Sequence, residues 1–457
     1  MTKLPPERAE AGFADYKPAY TTMQALAEAN RCLYCVDAPC VQHCPTAINI
    51  PEFIRKISTG NVEGAARTIF LANVLGMSCA RVCPVEVLCA GACVYNDLDS
   101  PAIEIGKLQR YATDAAFDAG WQFFTAGPAT GKTVGIIGGG PAALAAAHEL
   151  RRLGHACTIY DAGALLGGLN TTGVAPYKMR ADRALTEVEW VLQIGGVEVV
   201  SDVVVGRDLT FLEVERRHDA LVIALGLGED RALEIPGREL AGIHGAVAFI
   251  AAFKLGQVDL SGVTQAVVLG GGNTAIDAVR ELLGLGVPEV TMLYRGDEAQ
   301  MSGYGHEWKA AKVEGAKVRW RCQPLAYLSS RPSGPEGASS RPSGPEGGPE
   351  GAVAGLRCAQ VGGDRRAIAG SEFEVPAQLV LLAIGQARLG ALATALPGVE
   401  VEDGRIVVDA EGATGRPNVY AAGDCANGGK EVVNATAEGK RAALAIDRVL
   451  REGVRDV

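Results

Sequence analysis

Eight cysteines fall between residues 32 and 93: Cys32, Cys35, Cys40, Cys44, Cys79, Cys83, Cys89 and Cys93. Proline follows two of them directly, at Pro45 and Pro84. Thiolates are soft donors, and so many in so short a stretch suit iron held in iron–sulfur clusters. The first run reads C-x2-C-x4-C-x3-C-P and the second C-x3-C-P-x4-C-x3-C. Apart from a longer middle gap, the first follows the ferredoxin spacing, in which the cysteine before proline ligates the other cluster. Zinc fits the Cys32/Cys35 pair, yet structural zinc usually takes two well-separated pairs. Disulfides are disfavoured because the opening MTKLPPERAEAGFADY lacks the apolar core of a signal peptide.

Two glycine turns carry the second chemistry. The β-branched run Thr133–Gly138 reads as a buried parallel strand; Gly138, Gly139, Gly140 and Pro141 turn the chain, and Ala142–Leu153 continues as a helix. Glycines here permit a tight turn and a close approach of backbone to a pyrophosphate, whose charge the helix N-terminus stabilises. The next strand, Cys157–Tyr160, ends at Asp161, which can accept both ribose hydroxyls. FAD is expected here, because VYAAGD at 419–424 delivers Gly423 and Asp424 before a helix beginning near Val433. That helix can aim its positive end at the flavin pyrimidine.

The second turn runs through Gly270, Gly271, Gly272, Asn273 and Thr274, between a strand at Ala266–Leu269 and a helix at Thr274–Leu283. It suits a dinucleotide that comes and goes. The following strand, Val290–Tyr294, ends at Arg295 instead of an acid, which points to the 2′-phosphate of NADPH. Gly296, Asp297 and Glu298 point the other way, so NADPH and NADH both stay open. Two more buried strands, Ala220–Leu225 and Leu379–Ile384, end at Gly226 and Gly385, as crossings between two nucleotide-binding domains do.

At 457 residues the chain has room for about three domains. Hydrophobic residues reach 48%, but no apolar run of about 20 residues spans a membrane. The stretch GAVAFIAAF, Gly245–Phe253, is short enough for a buried helix or strand. A net charge of −10 argues against a nucleic-acid partner. A soluble protein of the reducing cytoplasm is expected, given the unpaired thiols. Residues 1–125 read as helical, with Met23–Arg31 leading into the first cysteine and helical spacing over Pro51–Ile57 and Val62–Phe70. SSRPSGPEG at 329–337 repeats unchanged at 339–347, a composition that cannot order itself and reads as a tolerated loop expansion. Cys157, Cys322, Cys358 and Cys425 read as small apolar fillers, and His43 as an exposed loop residue.

On these motifs the chain resembles the electron-input half of dihydropyrimidine dehydrogenase and its related small subunits, including that of glutamate synthase. The resemblance runs from about residue 20 to the end. It implies an α/β fold with an N-terminal all-α iron–sulfur domain and two Rossmann-like nucleotide-binding domains, the NAD(P)H domain inserted in the FAD domain. The implied boundaries are 1–125 for two [4Fe–4S] clusters, 126–229 and 386–457 for FAD, and 230–385 for NAD(P)H with a disordered insert at 328–351. One cluster would take Cys32, Cys35, Cys40 and Cys93; the other would take Cys44, Cys83, Cys89 and Gln109, with Cys79 a spectator. Gln109, in IGKLQ, stands where the pyrimidine branch uses a glutamine ligand and the glutamate synthase branch tends to carry glutamate.

By the same resemblance, flavin contacts fall on Val82, Gly138, Gly139, Gly140, Pro141, Ala142, Asp161, Gly168, Leu169, Gly423, Asp424 and Val432. Lys178, in APYKM, would be the catalytic cation that stabilises a reduced anionic flavin. Nicotinamide-cofactor contacts fall on Gly271, Gly272, Asn273, Thr274, Arg295, Ala383, Ile384 and Gly385. Gly296 departs from the pattern, because NADPH users of the family often carry a second basic residue there. The sequence shows no FMN-binding barrel, which implies a hetero-oligomer with an FMN- and iron–sulfur-containing partner that interconverts uracil or thymine with the dihydro forms. The alternative is a glutamate synthase small subunit or another NADPH-dependent donor.

Overall fold

In the computed structural model, which describes residues 4–5, 8–329, 351–364, 366–387 and 397–452, the apolar run Thr133–Ile137 is a strand buried along almost its whole length. It sits at the centre of a five-stranded parallel sheet in the spatial order Val419–Ala421, Ala220–Ile223, Thr133–Ile137, Ala156–Tyr160, Val197–Val200. Val134 pairs with both Ala220 and Cys157, and Ile137 with both Ile223 and Tyr160. Helices cover a parallel sheet on both faces, which is why its strands are apolar without alternation. The helices Pro141–Arg152 and Val432–Glu452 cross it in close contact.

The cysteine-bearing region is helical because its sequence carries caps and 3.6-residue apolar spacing. Thr21 and Gln24 form a capping box, and the side chains of Asn49 and Asn61 accept from Glu52 and Gly64 N–H. In the helix Ile50–Ser58, Ile50, Phe53, Ile54 and Ile57 form one buried stripe. These faces do not close on themselves. Phe70 meets Trp190 with ring centroids 4.5 Å apart, and Phe117 meets Trp190 at 5.7 Å, so one core runs under both the cysteine helices and the first sheet. The contacts therefore join Ala14–Leu227 and the chain from Arg388 onward into one unit, where the sequence put a boundary after 125.

The second unit is Gly228–Ala387 with Pro5–Phe13. Residues 5–13, read from sequence with the helical region, belong here because Glu10 is fully buried and the Phe13 ring meets Phe253 at 6.0 Å. Its parallel sheet runs Ile243–Gly245, Leu379–Leu382, Gln265–Leu269, Glu289–Leu293, Lys317–Arg319. An antiparallel sheet of Phe373–Pro376, Val353–Gln360 and Cys322–Ser329 lies beside it. Where the chain enters and leaves the unit, Gly228 N–H donates to Ala387 O at 2.9 Å and Ala387 N–H to Glu229 O at 2.6 Å. Leu328 and Ser329, placed in the insert from sequence, pair with Gly355 and Val353, so the ladder claims them. The rest of the proline–glycine repeat lies outside the described residues.

One buried acid in this unit makes a testable difference. Glu281, on the helix Asn273–Gly284, is fully buried and neither carboxylate oxygen has a hydrogen bond. Burial raises its pKa to about 8, opposed by Lys254 and reinforced by Asp277 and Glu10. The folded chain thus holds a proton up to about 8 that the unfolded chain sheds near 4.5. Stability from this group is full below about 4.5 and falls as pH rises through about 8. Glu281→Gln is expected to gain on the order of a few kcal/mol at pH 8 and little at pH 5. Melting temperatures at the two pH values measure it, and an unchanged pH 5-to-8 difference would refute it.

Candidate cofactor and cluster sites

The cysteine loops are held by short-range bonds from side chain to backbone. Tyr95 hydroxyl donates to Arg31 O at 2.7 Å, and the Arg31 guanidinium donates to Pro101 O at 2.5 Å, which ties the Cys32 loop to the one after Cys93. Cys32, Cys35, Cys40 and Cys93 line one cavity together with Ile54 and Tyr95. Burial, then the neighbouring Cys32 and Cys93, pushes the Cys40 thiol up to about 11. Cys44, Cys79, Cys83 and Cys89 make a second group. A hydrogen bond with Cys79, then burial and the nearby Cys89 and Cys44, holds the Cys83 thiol well above its usual range. Burial and Cys44 take Cys89 up to about 12.

Among the described residues no three His, Cys, Asp or Glu side chains converge as ligands of one ion. Four soft sulfur donors around one cavity suit a polynuclear cluster, in which each sulfur would bind a different iron. Bound iron would also remove the cost these crowded thiols show, because a coordinating thiol is deprotonated outright. Gln109, on the helix Ile105–Asp118, is 7% exposed and its Nε2 donates to Gly76 O at 2.7 Å. That bond fixes the amide against the start of the helix Gly76–Val82. Cys79, read from sequence as a spectator, sits within the second group beside Cys83.

The first glycine turn forms a hollow. Gly138 has φ +104°, and a Cβ there would lie 2.2 Å from Ala224 O. Above Gly140 there is open space, the nearest atom to an added Cβ being Gly168 Cα at 3.9 Å. Gly167 N–H donates to Gly139 O at 2.8 Å, which brings Gly168 and Leu169 to this turn. Asp161 accepts from Gly163 N–H at 2.7 Å; burial raises its pKa against that bond and one from Gly139. Gly423 closes onto Ala142, with an added Cβ only 3.1 Å from the Ala142 Cβ. Burial likewise raises Asp424, opposed by Lys430 N–H. Glu438 fixes this corner by accepting from Gly423 N–H and Asn427 Nδ2, both at 2.8 Å. Lys178 is half-buried, its Nζ 5.8 Å from the Tyr177 ring centroid.

A buried polar chain missed by the sequence adjoins this hollow. Asn170, next to Leu169, donates from Nδ2 to Ser78 Oγ at 2.7 Å, and Ser78 Oγ–H donates to Glu187. Glu187 also accepts from Met77 N–H at 2.9 Å and Ser78 N–H at 3.2 Å, anchoring the helix Gly76–Val82. Burial raises Glu187 to about 7. Asn170 Oδ1 is buried with no partner. A buried acceptor without a donor beside an open glycine turn is what a bound dinucleotide would satisfy, so the residues fit FAD. Val432, Val433, Cys79 and Cys83 share one apolar cluster, so the helix that begins at Val432 starts against the second cysteine group.

In the second unit the glycine turn lies at the C-terminal ends of adjacent parallel strands, where open α/β sheets bind ligands. A Cβ on Gly270 would lie 2.2 Å from Ala383 O, and Ala383 N–H donates to Leu269 O at 2.8 Å. Ile384 is half-buried beside them and Gly385 O accepts from Arg231 N–H at 2.9 Å. Gly271 is covered by Tyr294, and Gly272 caps the helix that carries Asn273 and Thr274. Asn273 Oδ1 accepts from Tyr304 N–H at 2.9 Å. Arg295 is exposed just beyond the strand that ends at Leu293.

Comparison with known proteins places these features together elsewhere. Residues 8–121 match the family "dihydropyrimidine dehydrogenase domain II, 4Fe-4S cluster". Residues 132–326 and 354–439 match "pyridine nucleotide-disulphide oxidoreductase". The glutamate synthase [NADPH] small chain of Escherichia coli is 32% identical, over 94% of this chain and 92% of its own. The NAD-dependent dihydropyrimidine dehydrogenase subunit PreT of Escherichia coli is 33% identical, over 95% and 96%. In fold, the chain is similar to Mycobacterium tuberculosis FprA solved with NADPH, at TM-score 0.54 and 21% identity over 70% of this chain and 85% of that one. No helix among the described residues is long and apolar enough to cross a membrane.

Proposed function

The chain belongs to the pyridine nucleotide-disulphide oxidoreductase family, among its NAD(P)H-dependent flavin and iron–sulfur electron-transfer subunits, and we propose that it is the electron-input subunit of a dihydropyrimidine dehydrogenase. When bound, FAD supplies a group that accepts a hydride from a nicotinamide and returns electrons one at a time. The Gly270–Thr274 turn and Ala383–Gly385 hold the nicotinamide cofactor. Gly138–Ala142, Asp161, Gly168, Leu169 and Gly423–Asp424 hold the flavin dinucleotide. Lys178 and the N-terminal end of the Val432–Glu452 helix place positive charge where the reduced ring is negative.

The cysteines then carry electrons out through two [4Fe–4S] clusters, one on Cys32, Cys35, Cys40 and Cys93, the other on Cys44, Cys83, Cys89 and Gln109. The observation that carries this reading is the contact of Val432 and Val433 with Cys79 and Cys83, which sets the expected flavin contact directly against a cluster loop. A partner with FMN and further clusters would reduce uracil or thymine. Gln109 in place of glutamate supports this branch over the glutamate synthase one, though relatives of both are equally similar. The test is anaerobic co-purification with the bound partner, followed by assay of uracil reduction with each nicotinamide. Uracil-dependent oxidation of the cofactor is expected. Glutamate formed from glutamine and 2-oxoglutarate by the same preparation would assign the chain to the other branch.

A further inference from the structure

We infer that this chain selects NADPH over NADH through two arginines, Arg295 and Arg321, that flank Gly296, an inference resting on the reading of Gly270–Thr274 as the nicotinamide-cofactor turn. The position after Arg295 has no room for a second basic side chain. A Cβ on Gly296 would lie 2.6 Å from Gln300 Oε1 and 2.8 Å from Tyr294 Cε1, and Gly296 is buried. Tyr294 cannot yield freely, because its ring also lies against Gly271 in the phosphate turn and its hydroxyl donates to Gln300 O at 2.7 Å.

The second cation arrives from the neighbouring strand connection instead. Arg321 lies between the strands Lys317–Arg319 and Cys322–Ser329, and its N–H donates to Gly296 O at 2.9 Å. It holds φ +51°, so the chain bends sharply there to bring it beside Gly296.

The acids that follow Gly296 are already engaged. Asp297 caps the turn Glu298–Gln300 and pairs with the Arg321 guanidinium at 3.1 Å, while Glu298 pairs with Lys312 at 2.6 Å. An NADH site uses a carboxylate to accept from the ribose 2′-hydroxyl, and here both nearby acids already face a cation. No carboxylate among the described residues pairs with Arg295. The Arg321–Asp297 pair is exposed, 63% at the arginine, and such pairs are worth little. A 2′-phosphate, with about −1.5 to −2 charge, therefore outcompetes Asp297 for the Arg321 guanidinium. Two arginines beside one glycine offer a phosphate paired charge, whereas a neutral hydroxyl gains only an ordinary hydrogen bond from them.

The experiment measures dye reduction by the whole protein with NADPH and with NADH, and binding of 2′,5′-ADP and 5′-AMP by calorimetry. The parent is expected to favour NADPH by at least about tenfold in kcat/KM. Arg321→Ala should lower that ratio about tenfold and weaken 2′,5′-ADP binding without weakening 5′-AMP. Asp297→Asn should raise the ratio, a gain that damage to the fold would not produce. A parent that uses NADH as well as NADPH, or an Arg321→Ala protein with unchanged ratio and 2′,5′-ADP affinity, overturns the inference. A parent that reduces dye with neither nucleotide instead sinks the reading of the site as an electron entry.

Discussion

Cys40→Ser loses roughly half of the protein's iron and acid-labile sulfide, and electron delivery to any partner falls to background, while NAD(P)H still bleaches the flavin absorbance. Cys40 lines the cavity with Cys32, Cys35 and Cys93, and burial first, then Cys32 and Cys93, raises its thiol. Removing one of the four sulfurs leaves one iron of the cluster without its protein ligand. The flavin hollow is built from Gly138, Asp161 and Gly423 and shares no residue with this cavity, so hydride acceptance survives. Cys79→Ser is the companion measurement. It should keep its iron if Gln109 completes the second cluster; iron lost in Cys79→Ser would give the fourth place to the sulfur hydrogen-bonded to Cys83. Full iron in Cys40→Ser would remove that residue from the ligands.

Gly439→Leu should yield protein without flavin and with a melting temperature lowered by several degrees. Gly439 lies on the Val432–Glu452 helix, and a Cβ there would stand 2.0 Å from Ala142 O and 2.8 Å from Ala142 C. Both are backbone atoms of the Pro141–Arg152 helix, at the phosphate turn, and cannot rotate away. Even Gly439→Ala sets a helix-propensity gain of about 1 kcal/mol against an overpacking cost of about 1–3 kcal/mol. The clash wins, and leucine adds three more carbons to it. Once the helix moves, Val432 and the Gly423–Asp424 corner move with it, so the flavin-to-protein absorbance ratio is the sensitive readout. A Leu variant with full flavin and unchanged melting would show that the two helices do not depend on this approach.

Both glycine turns were legible from sequence because their requirement is local: a strand, a sharp turn and a helix within about 20 residues. Their helices begin at Pro141 and Asn273, one residue before the positions read from sequence, as caps usually decide. The two cysteine groups were legible by spacing and resemblance, although Cys93 joins Cys32, Cys35 and Cys40 only after three intervening α-helices. What stayed hidden depends on contacts between distant residues. Glu187 looks like one acid on an amphipathic helix, and nothing near it in sequence announces Ser78, 109 residues earlier. Arg321 reaches Gly296 through a backbone bond between neighbouring strand ends, which no motif encodes. The boundary after 125 falls between the two family matches, yet Trp190 packs into the same aromatic core as Phe70, a contact that local spacing does not announce.

The first sheet waits for its last strand. Ala220–Ile223 is paired by Thr133–Ile137 on one side, and its other side is filled only by Val419–Ala421, some 200 residues later. During synthesis at about 5–20 residues per second, that edge stays open for roughly 10–40 s while the second unit is being made. An unpaired, fully apolar edge is a template for pairing with another nascent chain. Yield in a foreign host should therefore depend on chaperone supply and growth temperature more than on the stability of the finished fold.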